Sequence, residues 1–127
     1  MYKRQLLYVS TEYVFDGTGD RPWETDDRPR PLNVYGLSKL QGEEAVRSLM
    51  AKHFILRISW AFGRGGRSFV GTMQRLGQEK SSVRVVNDQV GAPTYTADLA
   101  ALMADMIVTD RYGTYHASGE GLSLIHI

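Results

Sequence analysis

Residues 31–46, PLNVYGLSKLQGEEAV, have the pattern of a helix placed between two strands. Pro31 and Asn33 are typical of a helix start, and the apolar residues that follow recur at helical spacing. This pattern predicts a helix from about Asn33 to Met50, whose apolar side consists of Leu40, Val46 and Leu49. Its charged side is expected to face water and consists of Glu43, Glu44 and Arg47.

Apolar runs on both sides of this helix predict buried strands. LLYVS, residues 6–10, precedes the helix, and HFILRIS, residues 53–59, follows it. Between the first strand and the helix lies a long segment, residues 11–33, rich in Gly, Pro and Asp. Its Tyr, Phe and Trp residues favour an ordered loop, and Phe15 is interpreted as a loop anchor. A strand, a helix and a second strand in this order are typical of a parallel sheet.

The second half of the chain continues the same alternation. We predict a helix at 68–79, a strand at 83–88, a helix at 97–108 capped by Thr96, and a short strand at 113–118. The order of elements predicts an α/β fold in which at least part of the sheet is parallel.

Composition narrows the possible functions. The 127 residues suit one domain or part of a larger one, and 43% are hydrophobic. The net charge of +1 gives no reason to expect a nucleic acid or an anionic membrane as a partner. There is no cysteine, which excludes disulfides and thiolate metal sites, and the histidines lack metal-ligand spacing. No apolar run is long enough to span a bilayer and the start lacks a signal peptide, so we expect a cytoplasmic protein without a bound metal.

The two ends differ from the rest of the chain. MYKRQ, residues 1–5, is polar and patternless, and the tail at 122–127 is apolar and stops without a cap. We expect both segments to be non-native sequence and residues 6–121 to be part of a larger domain. The alternative is a short natural leader and a terminal strand.

Polar residues that could carry chemistry meet at one predicted edge of the sheet. Tyr35 and Lys39 are four residues apart and therefore neighbours on the helix. Thr11 ends the first strand and Trp60 follows the second, at the edge where α/β proteins bind ligands. A lysine ammonium can stabilise a tyrosine phenolate, and such a pair suits proton transfer to a carbonyl oxygen. Taken alone, the pair could equally be a solvated helix face.

Four segments of the chain resemble one family. STEYVFDGTGDRPWETDDRPRPLNVYGLSKLQGEEAV, RISWAFG, FVGTMQRL and VVNDQVGAPTYTADLA are similar, in unbroken order, to the extended short-chain dehydrogenase/reductases, and among these to the dTDP-4-dehydrorhamnose reductases. The resemblance covers almost all of 6–121. It implies reduction of the C4 ketone of dTDP-4-dehydro-L-rhamnose to dTDP-L-rhamnose by NADPH or NADH, in dTDP-rhamnose biosynthesis for cell-surface polysaccharide.

The resemblance also implies roles for individual residues. The catalytic residues would be Thr11, Tyr35 and Lys39, with Tyr35 as the proton donor. Tyr35 and Lys39 would also bind the cofactor. Residues implied to contact the dTDP-sugar substrate are Thr11, Glu12, Tyr13 and Trp60. Glu12 departs from the family, which usually has Asp at this position.

A second departure concerns the cofactor. The superfamily binds its dinucleotide with a glycine-rich loop after the first strand, and this chain has none there. FGRGGR, residues 62–67, follows a different strand and is interpreted as an ordinary loop. The expected fold is therefore a partial Rossmann-like (doubly wound) parallel sheet with flanking helices, lacking the N-terminal glycine-rich half. The full-length protein could be a homodimer. Two alternatives stay open: a non-catalytic regulatory or binding relative of the same fold, and an isolated fragment without activity.

Overall fold

The computed structural model describes residues 4–65, 68–86, 88–120 and 123–124. Its helices are α1 (Val34–Leu49), α2 (Phe69–Glu79) and α3 (Thr96–Met106), and a short 3-10 helix spans Glu12–Val14. Its strands are β1 (Leu6–Thr11), β2 (His53–Ile58), β3 (Ala61–Phe62), β4 (Val90–Gly91), β5 (Thr94–Tyr95), β6 (Gly113–His116) and β7 (Ser123–Leu124). In this part of the chain no helix is long and apolar enough to cross a bilayer.

A parallel three-stranded sheet in the order β1, β2, β6 forms the centre of the fold. The middle strand is deeply buried, with Phe54, Ile55 and Leu56 fully inaccessible to solvent. Two small pairs lie outside it, β3 with β5 in parallel and β4 with β7 antiparallel. Thr11 and Ile58 face each other at the carboxyl ends of β1 and β2. The segments that follow these two strands therefore leave the sheet at the same edge.

The predicted α/β fold with a parallel sheet is confirmed, and six of its elements lie within a few residues of their predicted positions. The strand predicted at 83–88 is wrong: residues 83–86 and 88 belong to no strand. Residues 83–86 do alternate between half-buried and exposed positions. Alternating burial shows only that one side of a segment faces the protein, however. A strand also needs a neighbouring strand to which its backbone can hydrogen-bond.

Three further predictions concern the ends of elements and the glycine loop. Thr96 does not cap α3, because it is the first helical residue and the extended Tyr95 precedes it without a side-chain cap. The predicted leader and tail lie mostly outside the described residues, as do two positions of the glycine loop, 66 and 67.

Different helices cover the two faces of the sheet. α1 lies on the face that carries Tyr8 and Ser10, and a Cβ built at Gly42 of α1 would overlap the Tyr8 phenol. On the other face, Leu99 of α3 packs against Leu56 of β2. Because side chains alternate along a strand, neighbouring residues of β1 meet different helices. The close contact at Gly42 lets α1 approach β1 directly.

Aromatic stacking orders the long loop between the 3-10 helix and α1. Phe15 is only 6% exposed, and its ring stacks on Trp23 with centroids 4.7 Å apart. The Arg57 guanidinium lies 4.9 Å from the centroid of the Phe15 ring and donates a hydrogen bond to the Thr25 carbonyl at 3.3 Å. The interpretation of Phe15 as a loop anchor agrees with these contacts.

The prediction that Glu43 faces water is wrong. Its side chain is fully buried against the sheet. The carboxylate accepts hydrogen bonds from Ser10 Oγ at 2.6 Å and from Arg47 Nη2 at 2.8 Å. Arg57, itself 3% exposed, donates two more, from Nε at 2.9 Å and from Nη2 at 2.8 Å. Glu43 thus joins α1 to both β1 and β2.

These partners keep the Glu43 carboxylate ionised. Burial by itself would raise its pKa, but the hydrogen bonds from Arg57, Ser10 and Arg47 together outweigh burial and place the pKa below its ordinary value. A carboxyl whose pKa is lower in the folded than in the unfolded state stabilises the fold above its unfolded pKa. That contribution is lost as the pH falls through the folded pKa.

Removing the Arg57 guanidinium should destabilise the fold, because the buried Glu43 carboxylate then lacks its main partner. We expect Arg57→Met to lower the free energy of unfolding by about 3–5 kcal/mol, measured by urea denaturation. Arg21→Met is the matched control: Arg21 also makes two hydrogen bonds to a carboxylate, that of Asp27, at 2.6 and 2.8 Å, but on the surface. The control should change stability little. Equal losses in the two variants would contradict the importance of burial.

Candidate active site

Thr11 ends β1 at the edge of the sheet where the predicted site lies. It is 5% exposed, and its Oγ1 accepts a hydrogen bond from the Tyr13 backbone N–H at 3.3 Å. This bond caps the 3-10 helix Glu12–Val14. A hydroxyl that accepts one hydrogen bond can still donate its own proton. Capping therefore orients the Thr11 hydroxyl without using up its donor.

Tyr35 lies in the first turn of α1, next to the same 3-10 helix. Its ring meets the Tyr13 ring edge-on, with centroids 6.1 Å apart and planes at 75°. The following residue, Gly36, lies so close to the Tyr13 backbone that a Cβ would overlap its carbonyl oxygen. Asn33 starts the helix by accepting a hydrogen bond from Gly36 N at 2.7 Å. Tyr35 itself is 53% exposed, so about half of the residue is accessible from solvent.

Lys39 lies one turn later and points towards the end of β1. Its Nζ donates to the Val9 backbone carbonyl at 3.1 Å. The same Nζ lies 5.2 Å from the centroid of the Tyr8 ring. The ammonium group is therefore held two residues before Thr11 in the sequence, beside the strand that presents the threonine.

Glu12 and Ser59 connect the ends of β1 and β2. Burial raises the pKa of the Glu12 carboxyl, and the nearby Ser59 side chain acts in the opposite direction with a smaller effect. The Ser59 hydroxyl also lies against the Ala92 carbonyl oxygen, to which it donates. The segment after β2 is thus hydrogen-bonded to the segment between β4 and β5, and it lies next to Glu12.

Trp60 has a backbone conformation that is rare for a large residue. Its φ is +38°, within the left-handed region that non-glycine residues usually avoid. The Thr94 N–H donates to the Trp60 carbonyl at 3.2 Å. A Cβ built at Gly91 would come within 2.6 Å of the indole ring, so only glycine leaves room there. Such strain is often found at functional sites, where neighbouring contacts maintain it.

The structure arranges the predicted residues in two groups. Thr11, Tyr13 and Tyr35 form one continuous series of contacts, and Lys39 is fixed to the strand that leads to Thr11. Trp60 is held instead by the segment 90–94. Glu12 lies next to Ser59, which directly precedes Trp60, and so stands between the two groups.

Sequence reasoning missed several residues that hold these groups in place. From the sequence, Tyr8 is expected only to be part of the apolar strand 6–10, and Ser59 only to end the apolar strand 53–59. The glycines Gly36 and Gly42 inside a predicted helix were the one available signal, because glycine weakens a helix and often marks a close approach.

The parallel sheet β1–β2–β6, with helices on both of its faces, defines an α/β fold of the Rossmann-like class. The same fold occurs in the crystal structure of a dTDP-glucose 4,6-dehydratase from Bacillus anthracis in complex with NAD, with a TM-score of 0.83 over 94% of this chain at 16% identity. The family described as the RmlD substrate binding domain matches residues 1–126. The chain belongs to this family, which confirms the resemblance found in the sequence.

The chain matches one part of several longer relatives. It is 48% identical to the dTDP-4-dehydrorhamnose reductase of Bacillus anthracis, whose crystal structure contains NADP, with a TM-score of 0.89 over 94% of this chain and 43% of that one. It is 45% identical over 121 residues to the dTDP-4-dehydrorhamnose reductase of Aggregatibacter actinomycetemcomitans, covering 91% of this chain. The spore coat polysaccharide biosynthesis protein SpsK of Bacillus subtilis is 43% identical over 118 residues, or 93% of this chain. The chain spans 41% of the length of these two curated relatives.

The close approach at Gly36 can be tested by adding one methyl group. Gly36→Ala should lower the free energy of unfolding by about 1–3 kcal/mol, because the new Cβ overlaps the Tyr13 carbonyl and pushes α1 away from the 3-10 helix. Gly77→Ala in α2 is the control, since nothing lies within 4 Å of a Cβ there. The control should gain about 0.5–1 kcal/mol from helix propensity, by urea denaturation. A stabilised Gly36→Ala variant would show that the contact is loose.

Proposed function

We propose that this chain is the substrate-binding part of a dTDP-4-dehydrorhamnose reductase. The full-length enzyme would reduce the C4 ketone of dTDP-4-dehydro-L-rhamnose to dTDP-L-rhamnose, a step of dTDP-rhamnose biosynthesis for cell-surface polysaccharide. Relatives bearing this reductase name are 42–45% identical to the chain. The observation that carries the proposal is the series of contacts from Thr11 through Tyr13 to Tyr35, with Lys39 fixed beside it.

In this proposal Tyr35 protonates the C4 oxygen of the sugar as the carbonyl is reduced. The exposed position of Tyr35 leaves its hydroxyl free to meet that oxygen. Thr11, oriented by its bond to Tyr13, would donate a hydrogen bond to the same oxygen and hold the carbonyl in place. The positive charge of Lys39 would favour the phenolate left on Tyr35 after proton transfer. The three residues together would stabilise charge as it develops on oxygen.

The residues present fit the nicotinamide end of NADPH or NADH, which when bound supplies the hydride. An ammonium group has three N–H donors, so the bond from Lys39 to Val9 leaves capacity for the ribose hydroxyls. Tyr35 would contact the same ribose. A glycine-rich pyrophosphate loop does not follow β1 in this sequence. We therefore assign only the nicotinamide half of the cofactor site to this chain, and we expect the isolated chain to be inactive.

Glu12, Tyr13 and Trp60 would line the dTDP-sugar site. Tyr13 is 43% exposed beside Tyr35, and the Trp60 indole is held at the same sheet edge by Gly91. The strain at Trp60 supports a binding role over simple core packing. The longer side chain of Glu12 would bring its carboxyl next to Ser59, which is consistent with the effect of Ser59 on the pKa of Glu12.

One relative favours a second candidate substrate. The dTDP-4-keto-6-deoxy-D-glucose reductase of Streptomyces niveus is 40% identical over 118 residues. The reduction of the C4 ketone would be the same for both substrates, which would differ only in the epimer of the sugar. A cytoplasmic location and a homodimer of the full-length protein stay predictions, as does the non-catalytic alternative.

Replacing the proton donor tests the proposal. In the full-length protein, Tyr35→Phe should lower kcat by about a hundredfold, followed as NADPH absorbance with dTDP-4-dehydro-L-rhamnose. Tyr115→Phe is the control, because its hydroxyl donates to the Arg111 carbonyl and takes no part in the site. The control should keep wild-type turnover.

Two results would count against this account. Unchanged turnover in Tyr35→Phe would remove the assigned acid. A wild-type protein without turnover on either sugar epimer would favour the regulatory or binding relative.

A further inference from the structure

We propose that Tyr8 is a positioning residue that clamps Lys39 from β1. The inference rests on the proposed function, because Lys39 matters there as a partner of Tyr35 and of the cofactor ribose. Tyr8 meets Lys39 at both ends of the lysine: its ring lies under the ammonium group and its hydroxyl binds the backbone. No other role proposed for the site uses this tyrosine.

The contacts at the ammonium end hold a flexible group in one place. Lys39 Nζ lies 5.2 Å from the centroid of the Tyr8 ring, within the distance at which a cation is attracted to an aromatic face. Nζ also donates to the Val9 carbonyl at 3.1 Å. A lysine stem has four rotatable bonds, so one hydrogen bond alone would leave the ammonium group many alternative positions. The ring supplies the second contact that restricts it.

The contact at the backbone end fixes the helix from which the lysine extends. The Tyr8 hydroxyl donates to the Lys39 carbonyl at 3.3 Å. Gly42 makes this possible, since a Cβ there would overlap the phenol. Replacement of Gly42 by any larger residue would push the ring out from under Lys39.

The surroundings of Tyr8 keep its phenol neutral. Burial raises its pKa, and the negative charges of Glu43 and of an ionised Tyr35 would raise it further. The titratable and charged groups around the clamp are thus Lys39, Glu43 and Tyr35. A neutral phenol remains a hydrogen-bond donor to the Lys39 carbonyl and presents the ring face that a cation needs.

Two substitutions separate the ring from the hydroxyl. In the full-length protein, Tyr8→Phe keeps the ring and Tyr8→Leu removes it. We expect Tyr8→Leu to lower kcat about tenfold and to weaken NADPH binding, because the ammonium group is no longer positioned. Tyr8→Phe loses only the contact with the helix backbone and should lose clearly less than Tyr8→Leu in both measurements, and the KM for the sugar should change little in either variant.

A matched control exists in the same chain. Lys52 Nζ lies 5.8 Å from the centroid of the Tyr112 ring, a similar cation–π pair that belongs to no part of the proposed site. Tyr112→Leu should leave kcat and NADPH binding unchanged. Thermal unfolding of all three variants reports any general loss of stability.

A second readout does not depend on turnover. The ring current of Tyr8 should shift the ε-CH2 proton signals of Lys39 upfield in lysine-labelled NMR spectra. Lys39→Arg assigns these signals. The shift should persist in Tyr8→Phe, vanish in Tyr8→Leu and be unaffected in Tyr112→Leu.

The outcomes distinguish the clamp from the proposed function. Unshifted Lys39 signals in the wild type would overturn the clamp, as would wild-type kcat and NADPH binding in Tyr8→Leu. Equal losses of activity in Tyr8→Phe and Tyr8→Leu, together with lower melting temperatures, would show a merely structural tyrosine and overturn it too. If the wild type had no reductase activity, the proposed function would fail, and the NMR signals and NADPH binding would still decide the clamp.

Discussion

The ion pair between Glu43 and Arg57 is the interaction on which the rest of the structure depends. Both side chains are buried, so neither charge can be satisfied by water and each requires the other. α1 can therefore dock only where Glu43 reaches Arg57 on β2 and Ser10 on β1. The remaining lone pairs of the carboxylate are used by Ser10 and Arg47, which makes the position of the helix along the sheet specific.

The position of α1 in turn determines where the residues of the candidate site lie. Lys39 precedes Glu43 by one helical turn and Tyr35 precedes it by two, so both lie on nearly the same side of α1. Ser10, which binds Glu43, directly precedes Thr11. One buried carboxylate thereby sets the distance between the strand that carries the hydroxyl and the helix that carries the phenol and the ammonium. Arg57 also contacts the Phe15 ring and thereby links this ion pair to the long loop that precedes α1.

The sequence predicted most of the fold because helices and parallel strands have strong local patterns, as in α1 and β2. It failed where the outcome depends on distant partners. Glu43 looked like a solvated helix residue, since its partner Arg57 lies inside an apolar strand. The segment 83–86 had the alternation of a strand but pairs with none of the described strands. Family resemblance pointed to Thr11, Tyr35 and Lys39, whereas Tyr8 and Gly91 act through close packing that only three-dimensional structure reveals.

A double-mutant cycle on the buried pair tests the central claim most directly. The free energies of unfolding of Glu43→Leu, Arg57→Met and the double variant are compared by urea denaturation. Each single replacement leaves one buried charge without its main partner, while the double replacement removes both charges. The double variant should therefore lose much less stability than the sum of the single losses, with a coupling of about 2 kcal/mol or more. Additive losses would show that the two charges are independent and would contradict the account.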